Sequence, residues 1–245
     1  VAHGVELLTG EVAEHDWVVS TMPLTLMVKG LDDLPQDVET AVDSLRYRNT
    51  ILVFLRLDGS DLFSDQWLYI QSPELLVGRI TNFRNWVLDL YGESKQSILA
   101  MEYWCNDDDA MWEASQASLI QRASDELQQT GLVGETKVVD GFVHKIRRCY
   151  PIYDRGYKKK VASVSTWLNG FERLIPIGRY GAFKYNNQDH SILMGLLAAD
   201  NILYGLDNDL WSINTDYEAY QEETRISETG LESTLNQLQN GLVES

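Results

Sequence analysis

The stretch "GRYGAFKYNNQDHS", residues 178–191, decides the fold because it joins a glycine-rich turn to a long apolar run. That run, "ILMGLLAADNIL", predicts a buried helix with Asp189 as its N-cap. The N-terminus of a buried helix presents backbone N–H groups that suit an anion or a polarised carbonyl. Gly178 and Gly181 permit a flat ligand to approach the backbone. A plain β–α junction without a ligand is the alternative that these residues leave open.

The residues between the turn and the helix alternate in character. Phe183 and Tyr185 would share one face of a strand, and Lys184 would lie on the other face. The sequence therefore predicts an extended segment here.

Composition limits the class of protein. The chain has 245 residues, of which 44% are hydrophobic, so it is predicted to fold into one or two domains. Its 37 acidic and 20 basic residues give a net charge of −17, which argues against binding to nucleic acid or to an anionic membrane. No apolar run reaches the roughly 18 residues of a membrane span. Because the chain begins with Val and without a leader pattern, we expect a processed or truncated protein of the cytoplasm.

The cysteines and histidines predict no special chemistry. Cys105 and Cys149 are distant in sequence and lack CxxC spacing, so free thiols in a reducing compartment are expected. The four histidines are scattered without the spacing of a zinc motif. We therefore predict no metal site.

Short apolar runs predict the elements of the first half of the chain. Residues 17–20 predict a buried strand, and Pro35 predicts the start of a helix. The apolar face of that helix has helical spacing and consists of Val38, Ala41, Val42 and Leu45. Close spacing and short turns favour antiparallel pairing of four further strands, predicted in "NTILVFLRL", "WLYI", "ELLVGRI" and "SILAMEYW".

Three further elements are predicted between residues 106 and 168. A helix follows the acidic "NDDD" and ends at a C-cap, Gly131. A hairpin or a bent strand is predicted in "TKVVDGFVHKIRR", with Asp140 and Gly141 as its turn. A short helix is predicted over residues 161–168.

The last forty residues differ from the rest in charge. Residues 206–245 contain nine acidic residues and one basic residue. A leucine stripe at helical spacing predicts a peripheral helical appendage, and it consists of Leu231, Leu235, Leu238 and Leu242.

The stretch that opens this section, extended by one residue to "GRYGAFKYNNQDHSI", resembles the closing flavin-binding motif of the UDP-galactopyranose mutases. Further segments are similar to that family and occur in the same order: "VVSTMPL", "SLRYRNTILVFL", "LLVGRITNFRNW", "MEYW" and "RCYPIYD". The similar segments span residues 15–205. The chain therefore resembles the mutase and amine-oxidase-like FAD-dependent oxidoreductase superfamily.

The resemblance implies FAD as cofactor and assigns residues to it. Gly178, Arg179 and Gly181 are implied to line the flavin, and Asn187 and Gln188 to stand beside the ribityl chain and the pyrimidine edge. The helix N-terminus at Asp189 is then implied to face flavin N1 and O2, where it would stabilise the charge of the reduced flavin. The mutase motif has Asp where this chain has Asn187 and Met where it has Gln188, which puts the mutase reaction itself in question.

The same resemblance suggests a substrate site. Arg79 stands where the mutases have an arginine facing the flavin and the sugar diphosphate, so it is implied to be catalytic. Its guanidinium, in an apolar strand, needs either a carboxylate such as Glu102 or a cleft with a diphosphate, and the resemblance favours the cleft. Tyr150, Tyr153 and Tyr185 could supply hydroxyls to the substrate, although each could equally be an ordinary half-buried aromatic.

The domain organisation follows from the resemblance. No GxGxxG motif occurs in the sequence, so we expect the C-terminal part of a longer flavoprotein. The predicted class is α+β, with a mostly antiparallel substrate-domain sheet, helices on one face, and fragments of an α/β FAD-binding domain at both ends. Residues 1–23 are predicted to be the end of the FAD-binding domain, and residues 24–170 the substrate-binding domain. Residues 171–205 are predicted to be the return segment of the FAD-binding domain, and residues 206–245 the acidic helical appendage.

Three functions fit these observations. The first is an FAD-dependent enzyme that resembles UDP-galactopyranose mutase and acts on a small molecule, either a nucleotide sugar or a related polar substrate. The second is an amine-oxidase-like dehydrogenase or oxidase, whose substrate would need an aromatic cage rather than convergent arginine and tyrosine. The third is a non-catalytic binding or assembly domain that has lost the flavin. In the enzyme interpretations this chain alone is predicted to be inactive, and its oligomeric state is left open.

Overall fold

The computed structural model describes residues 4–213, 224–227 and 230–233. The strands are β1 (Gly4–Glu6), β2 (Val12–Glu14), β3 (Val18–Ser20), β4 (Tyr47–Leu57), β5 (Trp67–Tyr69), β6 (Arg79–Asn82), β7 (Ser97–Cys105), β8 (Val138–Pro151), β9 (Leu174–Pro176), β10 (Thr224–Ser227) and β11 (Gly230–Ser233). The helices are α1 (Leu24–Lys29), α2 (Gln36–Asp43), α3 (Ala110–Glu113), α4 (Gln116–Thr130), α5 (Tyr157–Leu168), α6 (Gly178–Gly181) and α7 (Gln188–Tyr204), with 3₁₀ turns at Phe83–Asn85 and Leu88–Tyr91.

The chain divides into two compact units. The sheet unit consists of residues 46–152, and the helix unit consists of the described residues of 1–45 and 153–245. The predicted substrate-binding domain, residues 24–170, extends beyond the sheet unit at both ends. The difference arises because α1, α2 and α5 belong to the helix unit, where α2 packs against α5 and α1 against α2.

A five-stranded antiparallel sheet forms the sheet unit, in the order β5-β6-β7-β4-β8. The predicted α+β class with a mostly antiparallel sheet is confirmed. Alternate residues of the long strand β4 enter the core, and helix α4 packs against β4 and β8. The fully buried residues of β4 are Ile51, Val53, Leu55 and Leu57.

Of the predicted hairpin or bent strand at Asp140 and Gly141, the structure shows the single strand β8, with both residues inside it and a register irregularity at Asp140. The neighbouring strand β4 offers a continuous partner, and β8 pairs along it with two irregularities in register. Glycine is required at position 141 by packing rather than by a turn. A Cβ there would come within 2.8 Å of the Ile120 side chain. Its missing side chain lets helix α4 approach the strand.

The prediction for "ELLVGRI" is correct only at its end, since strand β6 begins at Arg79. The helix predicted after "NDDD" is divided into α3 and α4, because Ser115 is the N-cap of the second helix and its side chain accepts a hydrogen bond from Ser118 N. Its predicted C-cap is confirmed, with Gly131 at φ 71°.

The helix unit contains a two-stranded parallel sheet, β3 beside β9, with the glycine turn α6 following β9. Helix α7 packs its inner face on this region through Met194 and Ala198. The predicted apolar face of α7 is only partly buried, since Ile192 and Leu196 are 63% and 61% exposed. The predicted start of α2 after Pro35 is confirmed, as are its buried residues Val38, Ala41 and Val42.

The segment after α7 differs from the predicted helical appendage where it is described. Residues 206–213 form no α-helix, and Leu210 packs into the core beside α7. Leu231 lies in strand β11, which pairs antiparallel with β10 rather than forming a helix. Leu235, Leu238 and Leu242 lie outside the described residues. Within the described part of the chain, no helix has both the length and the apolar character needed to cross a membrane.

Candidate active site

The carboxyl ends of β3 and β9 position the glycine turn. Ile177 N donates to the Ser20 carbonyl at 2.9 Å, and the chain then turns through α6. Gly178 has φ +79°, a left-handed conformation that favours glycine, and open space surrounds the position of a Cβ there. In α/β proteins ligands bind beyond the carboxyl ends of parallel strands, so the opening at Gly178 lies where a ligand is expected.

The second glycine of the turn has a different physical reason. A Cβ on Gly181 would lie 2.7 Å from the Ser20 carbonyl oxygen, too close for any real side chain. Gly181 is therefore required by contact with the end of β3. Of the two glycines, only Gly178 leaves open space that a ligand could occupy.

Arg179 holds the loop that leads into α7. Its Nη1 donates to the Asn186 carbonyl at 2.6 Å, and its guanidinium carbon lies 4.5 Å from the centre of the Tyr185 ring. This charge-assisted hydrogen bond and cation–π contact fix the loop geometry beside the turn. The Arg179 guanidinium is thus engaged by the protein, and its predicted contact with a flavin stays a prediction.

The extended segment predicted at residues 183–185 is wrong. Phe183 has φ +51° and is buried, and Lys184 is also buried rather than facing away from it. The chain bends because Lys184 N donates to the Arg179 carbonyl at 2.9 Å, and Lys184 Nζ donates to the Trp211 carbonyl. Local alternation of residue types could not show these remote contacts.

Helix α7 begins at Gln188, so the prediction of Asp189 as N-cap is wrong by two residues. The N-cap is Asn187, whose carbonyl accepts from Ser191 N at 3.2 Å and whose side chain makes no capping bond. Asp189 lies inside the first turn and contacts His190 Nδ1 at 2.9 Å. The exposed amides of Asn187 and Gln188 therefore stand at the helix N-terminus, which carries partial positive charge.

Asn186 was not singled out from the sequence. It is almost fully buried, its Nδ2 contacts the Met194 sulfur at 3.3 Å, and its Oδ1 has no hydrogen-bond partner among the described residues. A buried, unpaired amide oxygen is costly, and such atoms concentrate at functional sites. The repeated amides of "NNQ" were the available signal.

Two of the predicted tyrosines meet in the helix unit. The Tyr153 hydroxyl accepts a hydrogen bond from Tyr185 N at 2.8 Å. The Tyr153 ring stacks on Tyr157 with centroids 4.0 Å apart and planes within 4°. Tyr150 belongs to the sheet unit and is held by another set of contacts.

Arg79 has a carboxylate partner in the sheet unit. Its Nε donates to Glu102 Oε2 at 2.7 Å, and its Nη2 contacts the same oxygen. The Arg79 side chain is 32% exposed, whereas that of Glu102 is 5% exposed. The sequence left open a carboxylate or a ligand cleft, and the structure shows the carboxylate contact.

Glu102 is the centre of a polar cluster that also holds Tyr150. Glu102 Oε1 accepts from the Tyr150 hydroxyl at 2.9 Å and from Trp104 Nε1 at 3.0 Å. Glu102 and Trp104 alternate along β7 with Met101 and Tyr103, which enter the core, so the cluster lies on the sheet face opposite that core. Trp104 was missed because its role depends on this alternation and on a remote carboxylate.

The Glu102 carboxylate controls the ionisation of its neighbours. Burial lowers the pKa of Arg79, but the charge of Glu102, followed by Tyr150 and Tyr69, raises it by more, so the pKa lies above its usual value. Burial and then the negative charge and hydrogen bond of Glu102 raise the pKa of Tyr150. Arg79 is therefore cationic and Tyr150 a neutral hydroxyl at ordinary pH. No cluster that could hold a metal ion occurs among the described side chains.

Comparison with solved structures identifies the fold. The chain is similar to a crystal structure of reduced UDP-galactopyranose mutase, with a TM-score of 0.73 and 23% sequence identity over 87% of this chain and 46% of the mutase. It is also similar to a protein assigned as a protoporphyrinogen oxidase from Exiguobacterium sp. 255-15, with a TM-score of 0.54 and 16% identity over 69% of this chain and 37% of that protein.

The sequence comparisons give no further relatives, since no protein-family model and no curated protein matches the chain. The chain spans less than half the length of either solved structure. It therefore has the fold of part of these enzymes, as the resemblance in the sequence predicted.

Proposed function

We propose that this chain is part of an FAD-dependent enzyme that is similar to UDP-galactopyranose mutase and acts on a nucleotide sugar. The observation that carries the proposal is the coincidence of the mutase fold with the motif: 87% of the chain follows that fold, and the glycine turn stands at the carboxyl ends of β3 and β9.

The glycine turn supports a cofactor role. The open space at Gly178 would admit the flavin ring, and the exposed amides of Asn187 and Gln188 would donate hydrogen bonds to the ribityl chain and the pyrimidine edge. The N-terminus of α7, at Asn187 and Gln188, would offer partial positive charge to that edge, while Arg179 keeps the adjoining loop in place. When bound, FAD supplies an isoalloxazine ring that accepts or donates electrons.

The Glu102 cluster supports a role in binding a polar substrate. Arg79 is held in one orientation by Glu102 and is still one-third exposed, so its planar fork is accessible to phosphate oxygens. Tyr150 is kept neutral; its hydroxyl proton is donated to Glu102, and its oxygen can accept a hydrogen bond from a substrate. Tyr153 and Tyr185 contact each other within the helix unit, and their predicted role in substrate binding stays a prediction.

Titration with FAD tests the cofactor assignment. Because the sequence lacks GxGxxG, we expect weak binding, with Kd of about 0.1–1 mM, and amide NMR shifts at residues 178–189. Gln188→Ala should reduce the affinity several-fold, whereas Gln129→Ala, an exposed glutamine of α4, should not. Tight stoichiometric binding, or FAD-induced shifts confined to other residues, would contradict this assignment.

Titration with UDP tests the substrate assignment separately. We expect shifts at Arg79 and Tyr150, and at least a tenfold loss of affinity in Arg79→Lys, since an ammonium cannot reproduce the bidentate geometry. Arg147→Lys, an exposed arginine paired with Asp107, is the matched control. Unchanged UDP affinity in an Arg79→Lys protein with normal thermal stability would remove Arg79 from the site and leave it as a structural partner of Glu102.

An amine-oxidase-like oxidoreductase is the second candidate, favoured by the similarity to the Exiguobacterium protein. The stacked pair of Tyr153 and Tyr157 offers an aromatic surface of the kind that an amine substrate needs. Binding of a cationic amine in preference to UDP would support this candidate. Absence of all FAD and UDP binding would favour a non-catalytic assembly domain.

A further inference from the structure

A cavity of about 510 Å³ lies in the helix unit beside strand β9. Its size is within the range of small-molecule sites. The described residues that line it include none from the 178–191 stretch, so the cavity is separate from the proposed cofactor site. The six lining residues that matter to its chemistry are Trp17, Asn169, Phe171, Arg173, Asp207 and Trp211.

Three aromatic side chains give the cavity flat apolar surfaces. Trp17 directly precedes β3 and is 39% exposed, so part of its ring is open to solvent. Phe171 is held by an edge contact with Trp167, with ring centroids 4.7 Å apart. Trp211 is fixed through its backbone N–H, which donates to Asp209 Oδ1 at 2.9 Å. Positioned aromatic faces of this kind suit a ligand that has an apolar ring face.

The polar groups of the cavity are both donors and acceptors. Arg173 and the Trp17 indole N–H donate, Asp207 accepts, and the Asn169 amide does both. Among the described residues, these four side chains make no hydrogen bond or ion pair with the protein. These four side chains are therefore available to form hydrogen bonds with a ligand that displaces water from the cavity.

Arg173 occupies a backbone conformation that is costly for its residue type. Its φ is +68°, in the left-handed region, and its carbonyl accepts from Val18 N at 2.8 Å, which extends the pairing of β3 with β9. A glycine would adopt this conformation without strain. An arginine kept in such a position at the wall of a cavity points to a use for its side chain.

The charges of the cavity select against anionic ligands. Asp207 and Asp209 disfavour an anion, as does the net charge of −17, and Arg173 offsets only one of the two carboxylates. A neutral polyhydroxy ring satisfies all the groups: its C–H face packs on an aromatic side chain, and its hydroxyls donate to Asp207 and accept from Arg173 and Asn169. We propose that this cavity binds a neutral saccharide, independently of the cofactor and substrate sites proposed above.

The test uses saturation-transfer NMR on the whole 245-residue chain. The neutral probes are galactose, glucose and N-acetylglucosamine, and the charged comparators are glucuronate and glucosamine. We expect at least one neutral probe to bind at least fivefold more tightly than glucuronate, and more tightly than glucosamine. Amide shifts caused by that sugar should occur at residues 169–175 and 207–211.

Two variants and a control locate the site. Trp17→Ala should reduce affinity for the neutral sugar at least tenfold, whereas Trp86→Ala, an exposed tryptophan of the sheet unit, should leave it unchanged. Arg173→Gly should reduce the affinity at least fivefold while the thermal midpoint stays equal or rises, because glycine relieves the backbone strain. This variant keeps the test decisive even if Trp17→Ala fails to fold.

Four results would overturn the proposal. These are no binding of any neutral probe at 50 mM (about the practical limit for so weak a site), equal or tighter binding of a charged comparator, unchanged affinity in Arg173→Gly, and shifts confined to residues outside the cavity. Loss of FAD or UDP binding has no bearing on these outcomes.

Discussion

The sheet unit and the helix unit bury their apolar residues to different extents. Strand β4 lies between β7 and β8 along almost its whole length, and helix α4 covers one face of the sheet. In the helix unit, β3 and β9 form a parallel pair of only three residues each, and the outer face of α7 exposes Ile192, Leu196 and Leu203. An antiparallel sheet is stable with one face open, whereas parallel sheets are nearly always larger and covered on both faces.

The comparison teaches where stability and where binding are expected to lie. The sheet unit should supply most of the free energy of unfolding through its core. The helix unit should tolerate changes on the outside of α7 but not at the turns that shape its sites.

Truncation of an apolar side chain should show the largest difference in unfolding free energy between the two units. Leu55→Ala, at a fully buried position of β4, should lower the free energy of unfolding by about 3 kcal/mol through lost burial and a cavity. Leu196→Ala, on the exposed face of α7, should change it by less than about 0.5 kcal/mol. Urea unfolding measures both. An equal loss in Leu196→Ala would show that the outer face of α7 is packed in solution.

Removal of Arg79 should be the next largest effect. Arg79→Leu leaves the buried Glu102 carboxylate without its cation and should cost about 2–4 kcal/mol, near the low end for broken buried pairs because Tyr150 and Trp104 still donate to it. Arg147→Leu, which breaks an exposed pair with Asp107, should cost less than about 1 kcal/mol.

A double-mutant cycle checks the cause of that loss. Glu102→Gln in the Arg79→Leu background should recover part of the stability, since a neutral amide needs no counter-charge. Strictly additive effects of the two substitutions would show that Arg79 and Glu102 do not stabilise each other.

Glycine substitutions should have smaller effects of opposite sign within the helix unit. Gly178→Ala forces an alanine to φ +79° and should cost about 1–2 kcal/mol. Gly195→Ala, in the middle of α7 with open space around its Cβ, should stabilise by about 0.5–1 kcal/mol. Thermal midpoints measure both. A stabilised Gly178→Ala would contradict the left-handed turn.

Alkaline pH should slightly lower the free energy of unfolding of the sheet unit, because the Tyr150 hydroxyl loses its proton. Its pKa is raised in the folded state by burial and by Glu102, so the folded state holds the proton more tightly. This contribution is complete below pH 10, the ordinary tyrosine pKa, and is lost as pH rises towards the folded pKa, by about 1 kcal/mol at pH 11. Urea unfolding at pH 8 and pH 11 should show a smaller fall in Tyr150→Phe than in Tyr204→Phe, an exposed control on α7.

Much of the candidate site was predictable because its signals are local. The glycine turn and the helix that follows it within residues 178–204 are present in the structure, whereas the extended segment predicted between them is not. The N-cap was misplaced because Asn187 and Asp189 are both good capping residues, and only the path of the chain selects between them. The buried Asn186 was missed because no local pattern marks an unpaired amide.

The sequence by itself determined the elements that are marked by a periodic pattern of apolar residues or by a residue that begins or ends a helix. Strand β4, helix α2 after Pro35 and the C-cap at Gly131 follow from alternation, helical spacing and glycine's left-handed freedom, which are properties of neighbouring residues.

Only the tertiary structure decided the rest. It made β8 one strand because β4 pairs along its length, required Gly181 because the Ser20 carbonyl is in contact with it, and paired Arg79 with Glu102 across two strands. Each of these depends on a partner 23 or more residues away along the chain, as with Arg79 and Glu102. Contacts of that kind form when the chain folds, and no short window of sequence contains both partners.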